Sequence, residues 1–483
     1  MSKDRQIISE LRNYFTENGC GLGIQRIMNV LGTINITEKQ LAYEKKPNCK
    51  FTCAQIVQMM VLFPFFSIKN AANYFGSSLY SFFSCNKDMF YRVLSNDRID
   101  WRRIIRYVNK KLVTAISVRS DARNSEYPVC LIADDTDMPK TGRKGEMLGR
   151  IYSHVAGRGS ILGHKGLFLC RTDGRTQMLV DFTLQGEKGR VSARPQGLSR
   201  KDIEKRFSKQ RSADSKVEKR KSEYFLDKIS NLKTMLNRVI IDRIDFEYLL
   251  VDSWFVCKEI VKYIRRKGSK SHLLGMIKMS KTKYTVAGEE MTANAIASVM
   301  VKKKAVKYSR AHKFYYFEVE AVFAGKPVKL FFYRFGNKGE WKALLSTDTS
   351  MTPYRAYQIY AMRWSIEVVF HETKSLLNLG KCQCRDFGSQ SALISINMLQ
   401  YNLLSYVKRF ESYETIGGLF REITTQMVEL SVIEKIWGII QEIVSAIAEF
   451  LSADIDELLT NIIYENKKFK AMLGLVQRLQ IAS

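Results

Sequence analysis

Two short apolar runs leave this chain few folds to choose from. VCLIADD, from Val129 to Asp135, and YLLVDSWF, from Tyr248 to Phe255, each hold an unbroken apolar stretch that ends in acid. A short continuous apolar run, as opposed to an alternating one, suits a strand buried on both faces of a sheet. Such a sheet needs helices over its faces, and the neighbouring segments supply the spacing. YFLDKISNLKTMLNRVI and FVCKEIVKYIRRKG, the latter closed by Gly268, repeat apolar residues three or four apart. GHKGLFLCRTDGRTQMLVDFTLQ reads as two strands joined by a turn at Thr172–Arg175, and HLLGMIKM, from His272, as another short strand. The central region is therefore expected to be α/β, with Asp134 or Asp135 ending its first strand and Asp252 ending a later one. Acids at neighbouring strand ends converge on one edge of a mixed sheet, where loops host chemistry.

The rest of the chain reads differently. Residues 1–125 are expected to be helical, from LRNYFTENG through WRRIIRYVNKKLVTAI, with breaks at Gly, Pro and Asn. Between Ser199 and Ser222 the chain is dense in cations and is read as a linker, an arm or the polar start of a helix. From about 280 to 340 alternating runs such as KFYYFEVEAVF and PVKLFFYRF predict strands, and WKALLSTD predicts one more. From Ser389 onward MLQYNLLSYVKRF and IEKIWGIIQEIVSAIAEFL predict amphipathic helices, followed by the acidic stretch DIDELL.

Composition narrows the partner. Lys and Arg number 77 against 48 Asp and Glu, a net charge of +29. A protein this basic seeks polyanions, and phosphate contacts with counterion release are the usual reason. Arg102, Arg103, Arg106, Lys110 and Lys111 on one helix are read equally as a solvated face and as a DNA contact. The start, MSKDRQIISELRNYF, predicts no secretory signal, and MMVLFPFF is too short to span a bilayer and holds a proline, so no membrane partner is expected. Nine cysteines without a disulfide framework suit a reducing cytoplasm, and the pairs Cys49/Cys53 and Cys382/Cys384 lack the second pair a zinc finger needs.

A stripe of mixed charge lies further on, in YAMRWSIEVVFHETK. The segment follows Thr352-Pro353, contains no Gly or Pro, and spaces Ile359, Met362, Ile366, Val369, Phe370 and Leu377 as a helix would. At about 100° per residue, Tyr360, Arg363, Glu367 and Lys374 fall within an arc of roughly 60°. A solvated face would look the same. Together with the two strand-end acids, however, Glu367 completes a set of three carboxylates. Such a set suits two divalent ions with no help from His or Cys, because Mg²⁺ prefers carboxylate oxygen, water and phosphate.

The order Tyr360, Arg363, Glu367, Lys374 resembles the Y-R-E-K signature of the insertion-sequence-four family of bacterial DDE transposases. ADDTD, Ala133–Asp137, resembles that family's first-aspartate motif, with Asp134 in register with Thr136, and LLVDSWF resembles its second. The resemblance covers roughly residues 128–410. It implies a ribonuclease-H-like catalytic core with a β-strand-rich insertion, flanked by N- and C-terminal helical regions. The implied organisation is a helical DNA-binding region over 1–125 and the first part of the core over 126–280. The β-rich insertion over 281–340 and the rest of the core over 341–387 follow, then a helical region over 388–483 that serves assembly. Asp134, Asp252 and Glu367 would be the catalytic metal ligands, for two Mg²⁺ or Mn²⁺ ions. Tyr360, Arg363 and Lys374 would hold DNA phosphates. The resemblance further implies cut-and-paste movement of an insertion sequence, and a homodimer bridging two double-stranded DNA ends in a synaptic complex. It places the protein in the bacterial cytoplasm, at the nucleoid. Trp341, Phe335 and Tyr333 are candidates to stack an extruded base, and Trp364 is expected to pack between helix and sheet. The rival readings are a nuclease of the same fold that does not join, a DNA-binding protein without catalysis, and a basic scaffold with no DNA role.

Overall fold

The computed structural model describes residues 3–17, 21–45, 49–118, 126–153, 159–189, 191–266, 268–411 and 413–451. The DIDELL stretch lies outside them. The chain forms two compact units, one from residues 1–104 with 399–483 and the other from 105–398.

The first unit is helical. It begins with α1 (Lys3–Glu17), α2 (Leu22–Ile34), α3 (Glu38–Leu41), α4 (Cys53–Leu62), α5 (Leu79–Phe82) and α6 (Lys87–Leu94). α4 is buried at every residue, and its first turn is closed by a reciprocal Thr52–Gln55 capping box. The apolar run MMVLFPFF is thus the end of a core helix plus a 3₁₀ turn over Phe63–Phe66. Among the described residues no helix is long and apolar enough to cross a membrane. α7 (Trp101–Val118), most of which belongs to the second unit, buries Ile104, Ile105, Val108, Leu112 and Ile116 and leaves Arg106, Lys110 and Lys111 exposed.

Among the described residues, the second unit is built on a mixed sheet of twelve strands. These are β1 (Cys130–Pro139), β2 (Gly149–Ile151), β3 (Ile161–Thr172), β4 (Gln177–Gln185), β5 (Tyr248–Val251), β6 (His272–Ile277), β7 (Lys283–Val286), β8 (Glu289–Thr292), β9 (Lys307–Ser309), β10 (Phe314–Phe323), β11 (Lys326–Phe335) and β12 (Lys342–Ser346). β1 is central: it runs antiparallel to β3 on one side and parallel to β5 on the other, and β5 runs parallel to β6. β3 and β4 form the expected hairpin, whose turn places Gly174 at φ +86°; a Cβ there would meet the Tyr127 ring. Its helices are α8 (Arg200–Glu204), α9 (Lys216–Tyr224), α10 (Lys228–Ile241), α11 (Lys258–Ile264), α12 (Ala293–Lys302), α13 (Pro353–Ala361) and α14 (Ser365–Leu376). α15 (Phe387–Phe410) begins in this unit and ends in the first, to which α16 (Ile416–Leu451) belongs.

One face of the sheet, carrying Leu131, Ala133, Leu249, Val251 and Leu273, packs on Leu232, Leu236 and Val239 of α10 and on Ile260 and Val261 of α11. The other face receives α14, whose Phe370 ring sits 5.5 Å from Phe168 of β3. Each fully buried aliphatic or aromatic side chain in these layers contributes about 1.5–3 kcal/mol of burial free energy.

Four features depart from the sequence reading. β1 does not end at its acids but continues to Pro139, so Asp134 and Asp135 lie inside the strand. The 281–340 segment is continuous with the main sheet, because β12 pairs antiparallel with both β6 and β11, and it contains the helix α12 among its strands. The cation-dense stretch from Ser199 to Ser222 holds two short helices, capped by Ser199 and Ser215. Its Arg211, with a side chain shut off from solvent, forks onto Glu146 at 2.8 Å and also bonds Asp386. Finally, the helix expected to close at Gly268 stops at Ile264.

Candidate active site

The alternation of β1 sorts its acids. Ala133 faces the α10 side, so Asp134 and Thr136 point to the opposite face, towards α14, while Asp135 and Asp137 return to the first. The contacts agree. Asp135 binds Lys228, at the start of α10, and stands 3.7 Å from Lys165, which is 3.5 Å from Asp137. Asp134 and Thr136 instead receive the two long cations of the opposite helices.

β5 places the second acid. Val251 is paired with Ala133 in parallel register, so the next residues, Asp134 and Asp252, emerge side by side. Asp252 accepts the Trp254 N–H at 2.9 Å, which turns the chain immediately after the strand. The turn fits because residue 275 of β6 is glycine: a Cβ there would collide with Val256 and lie 2.8 Å from Val251 Cγ2.

The third element is not the single helix that the spacing predicts. α13 starts at a Thr352 cap with Pro353 in its first turn, and a 3₁₀ turn over Met362–Trp364 separates it from α14. Neither Gly nor Pro marks the break. Arg363 lies in that turn, and its guanidinium donates to Asp134 Oδ2 at 3.0 Å and to Glu367 Oε1 at 2.7 Å. Its Cζ stands 6.0 Å from the centre of the Tyr360 ring. Lys374 Nζ donates to Thr136 Oγ1 at 2.6 Å. The structure thus brings Asp134, Asp252, Tyr360, Arg363 and Glu367 into one neighbourhood and ties Lys374 to the same strand. Ile359, Ile366, Val369, Phe370 and Leu377 are buried beneath them.

Electrostatics mark the same place. Burial pushes the Asp134 carboxyl up to about 7; Arg363 works against this, and the neighbouring Asp252 and Asp135 add to it. Burial also raises the Tyr360 hydroxyl to about 12. Burial alone would lower the pKa of Arg363, but Glu367, Tyr360 and Asp134 together hold it above its usual value. Lys374 is lowered by burial, with Asp137 opposing.

The donor set of Asp134, Asp252 and Glu367 is all carboxylate, the chemistry a hard divalent ion takes. A cation, the Arg363 guanidinium, already rests against two of the three. As the side chains stand, no three Asp, Glu, His or Cys residues among those described come together closely enough to hold an ion.

Other expected residues fall elsewhere. Tyr333 is buried, with its hydroxyl donating to the Pro353 carbonyl at 2.6 Å. Trp341 packs 4.9 Å from Phe317, and Phe335 is exposed. Trp364 does not pack between helix and sheet; it is 62% exposed. The 3₁₀ turn rotates it outward while Arg363 reaches in. One participant, Trp254, was missed by the sequence reading. Trp254 is 56% exposed beside Asp252, with Lys228 Nζ 5.0 Å and Lys278 Nζ 5.8 Å from its ring. Its only signal in the sequence is its place two residues after the acid.

Residues 227–403 match the family model described as a transposase DDE domain, and residues 82–271 match that of a DDE superfamily endonuclease. The first span holds Asp252, Tyr360, Arg363, Glu367 and Lys374; the second holds Asp134 and Asp252. Together they support a DDE transposase. Both DDE families imply a nuclease-type enzyme and, in general, the use of divalent metal. Among solved structures, the chain is similar to a piggyBac transposase in a synaptic complex with hairpin DNA, seen by cryo-electron microscopy. The identity is 12% and the TM-score 0.40, over 86% of this chain and 81% of that one. No curated protein matches the chain.

Proposed function

We propose that this protein is a DNA transposase of the insertion-sequence-four type, which cuts phosphodiester bonds at the ends of its own element and joins the freed 3′-hydroxyl to target DNA. The observation that supports the reading is that the Arg363 guanidinium bonds both Asp134 and Glu367, while Asp252 follows the strand that runs parallel to β1 beside Asp134. A ribonuclease-H-like core is supported by the strand order. An antiparallel run of β4, β3 and β1 is followed by the parallel strands β5 and β6, with the acids on β1 and just after β5.

Asp134, Asp252 and Glu367 would hold Mg²⁺ or Mn²⁺. Bound there, such ions supply an activated water or 3′-hydroxyl and stabilise the leaving oxygen. The chain's own residues do the rest. Arg363 offers two parallel N–H donors to a phosphate, Lys374 a point charge and Tyr360 one hydrogen bond, so the three fix the scissile strand relative to the carboxylates. The charge of +29 draws double-stranded DNA to the surface. Two copies, one per element end, would form the synaptic homodimer, acting on the bacterial chromosome in the cytoplasm.

The test is cleavage and strand transfer with a labelled duplex carrying the DNA end that flanks the protein's own gene. Glu367→Ala, Asp252→Ala and Asp134→Ala should abolish both products, by about 10²-fold or more as for loss of a main electrostatic stabiliser. Asp135→Ala should retain chemistry, since Asp135 serves Lys165 and Lys228 on the far face. If Glu367→Ala cuts as well as wild type, the reading is wrong. A second reading, a nuclease that cuts without joining, is favoured by the endonuclease family match over 82–271; pre-cleaved ends that give no joined product would establish it.

A further inference from the structure

We propose that Arg363 is an internal counter-cation that closes the carboxylate site until DNA arrives, so that a DNA phosphate and a divalent ion enter it together. The inference rests on the proposed reading of Asp134 and Glu367 as metal ligands and adds to it a rule of order.

The geometry sets one guanidinium two tasks. Its two terminal nitrogens are committed to carboxylates 229 positions apart or on the next turn, at 3.0 Å to Asp134 and 2.7 Å to Glu367. Arg363 is 16% exposed and Asp134 19%, so neither charge is relaxed by much water. A divalent ion bound by the same oxygens would stand within van der Waals reach of the guanidinium. Like charges at that separation repel strongly in a half-buried place. The ion therefore enters only as Arg363 leaves.

Departure has its own requirement. An arginine drawn away from two carboxylates gives up two charge-assisted hydrogen bonds, and a phosphate returns both in the same forked geometry. Phosphate binding without an ion is equally opposed, since it would strip Asp134 and Glu367 of the cation that bonds both while Asp252 stands alongside. Each partner thus removes the obstacle to the other, which is positive coupling. Arg363 lies in the 3₁₀ turn between α13 and α14, a kind of local irregularity that often serves as a hinge. Glu367, at the outer end of the fork, is 36% exposed, so the guanidinium has a path outward.

The experiment titrates Mn²⁺ into the full chain, followed by the paramagnetic resonance of free Mn²⁺, with and without saturating duplex carrying the DNA end that flanks its own gene. DNA occupancy is read on the same samples by fluorescence anisotropy. In wild type, duplex should tighten Mn²⁺ binding by about tenfold or more, and Mn²⁺ should tighten duplex binding by the same factor, as linkage requires. Without DNA, Arg363→Ala should bind Mn²⁺ about as tightly as the wild-type complex does, with the coupling factor reduced to near one. The wild-type coupling needs no substitution, so a poorly folded variant does not remove the test. If wild type shows no coupling, or if Arg363→Ala keeps it, while Glu367→Ala loses the ion, the counter-cation role is overturned and the site stands. If Glu367→Ala and Asp134→Ala bind Mn²⁺ as wild type does, the metal reading itself fails.

Discussion

Adjacent acids in β1 answer to different partners, Asp134 to Arg363 and Asp135 to Lys165 and Lys228. A strand turns successive side chains to opposite faces, so nearness in sequence says nothing about shared chemistry. The same logic isolates His164 of β3. Its ring is fully buried between Tyr224 and Phe387, and among the described residues neither ring nitrogen has a hydrogen-bond partner. Burial, helped by Lys140 and Arg206, lowers its pKa from 6.5 to about 3. Folded, His164 stays neutral down to that value; unfolded, it takes a proton near 6.5. Below 6.5 the unfolded chain therefore binds more protons, and stability falls as pH drops from 6.5 towards 3. Above 6.5 the group contributes no slope. Urea midpoints taken from about pH 7 to about pH 4 should fall less steeply in His164→Leu than in wild type. Equal slopes would show that other groups govern this window.

At the scale of elements, the segment from Ser199 to Ser222 shows how a cation-rich stretch becomes structure. Arg211 is inserted between Glu146 and Asp386, and Lys221 joins Glu146 at 3.3 Å. Removing one member of such a buried set leaves uncompensated charge, so Arg211→Ala should lower stability by roughly 3–5 kcal/mol in urea unfolding. A loss below about 1 kcal/mol would mean that the segment is held by other means. No local pattern announces this, because Glu146 and Asp386 lie 65 and 175 positions from Arg211. The same physics divides what could be read from what could not. β5, β6 and the β3–β4 hairpin were legible since their apolar runs and turns are local. The second half of β1, DDTDMP, looks too polar for a strand until Lys165, Lys228, Lys374 and Arg363 are present to receive its side chains. The residues of the candidate site were legible in type and order. That Arg363 bonds the acids themselves, and that a 3₁₀ turn aims it there, was not, because the helical spacing through the turn is unbroken.

At the scale of the whole molecule, a charge of +29 sets the character of any DNA complex. Each phosphate neutralised releases counterions, so log K should fall against log salt with a slope of about −0.9 per contact. Lys110→Ala and Lys111→Ala on the exposed face of α7 should reduce that slope by about one each if the helix meets DNA, and leave it unchanged if the face is only solvated. Fluorescence anisotropy over a series of salt concentrations decides between them. The sheet carries a different message. Because β12 is hydrogen-bonded to β11 as well as to β6, the 281–340 segment shares one continuous ladder with the strands that carry the acids. Anyone trimming this protein to a minimal catalyst would treat that segment as a detachable accessory. Excising it would instead leave the five-residue β12 as a raw margin, its backbone donors and acceptors turned to solvent. The shortened protein would be adhesive before it was small, pairing with its own copies through the seam that the missing strands had sewn shut.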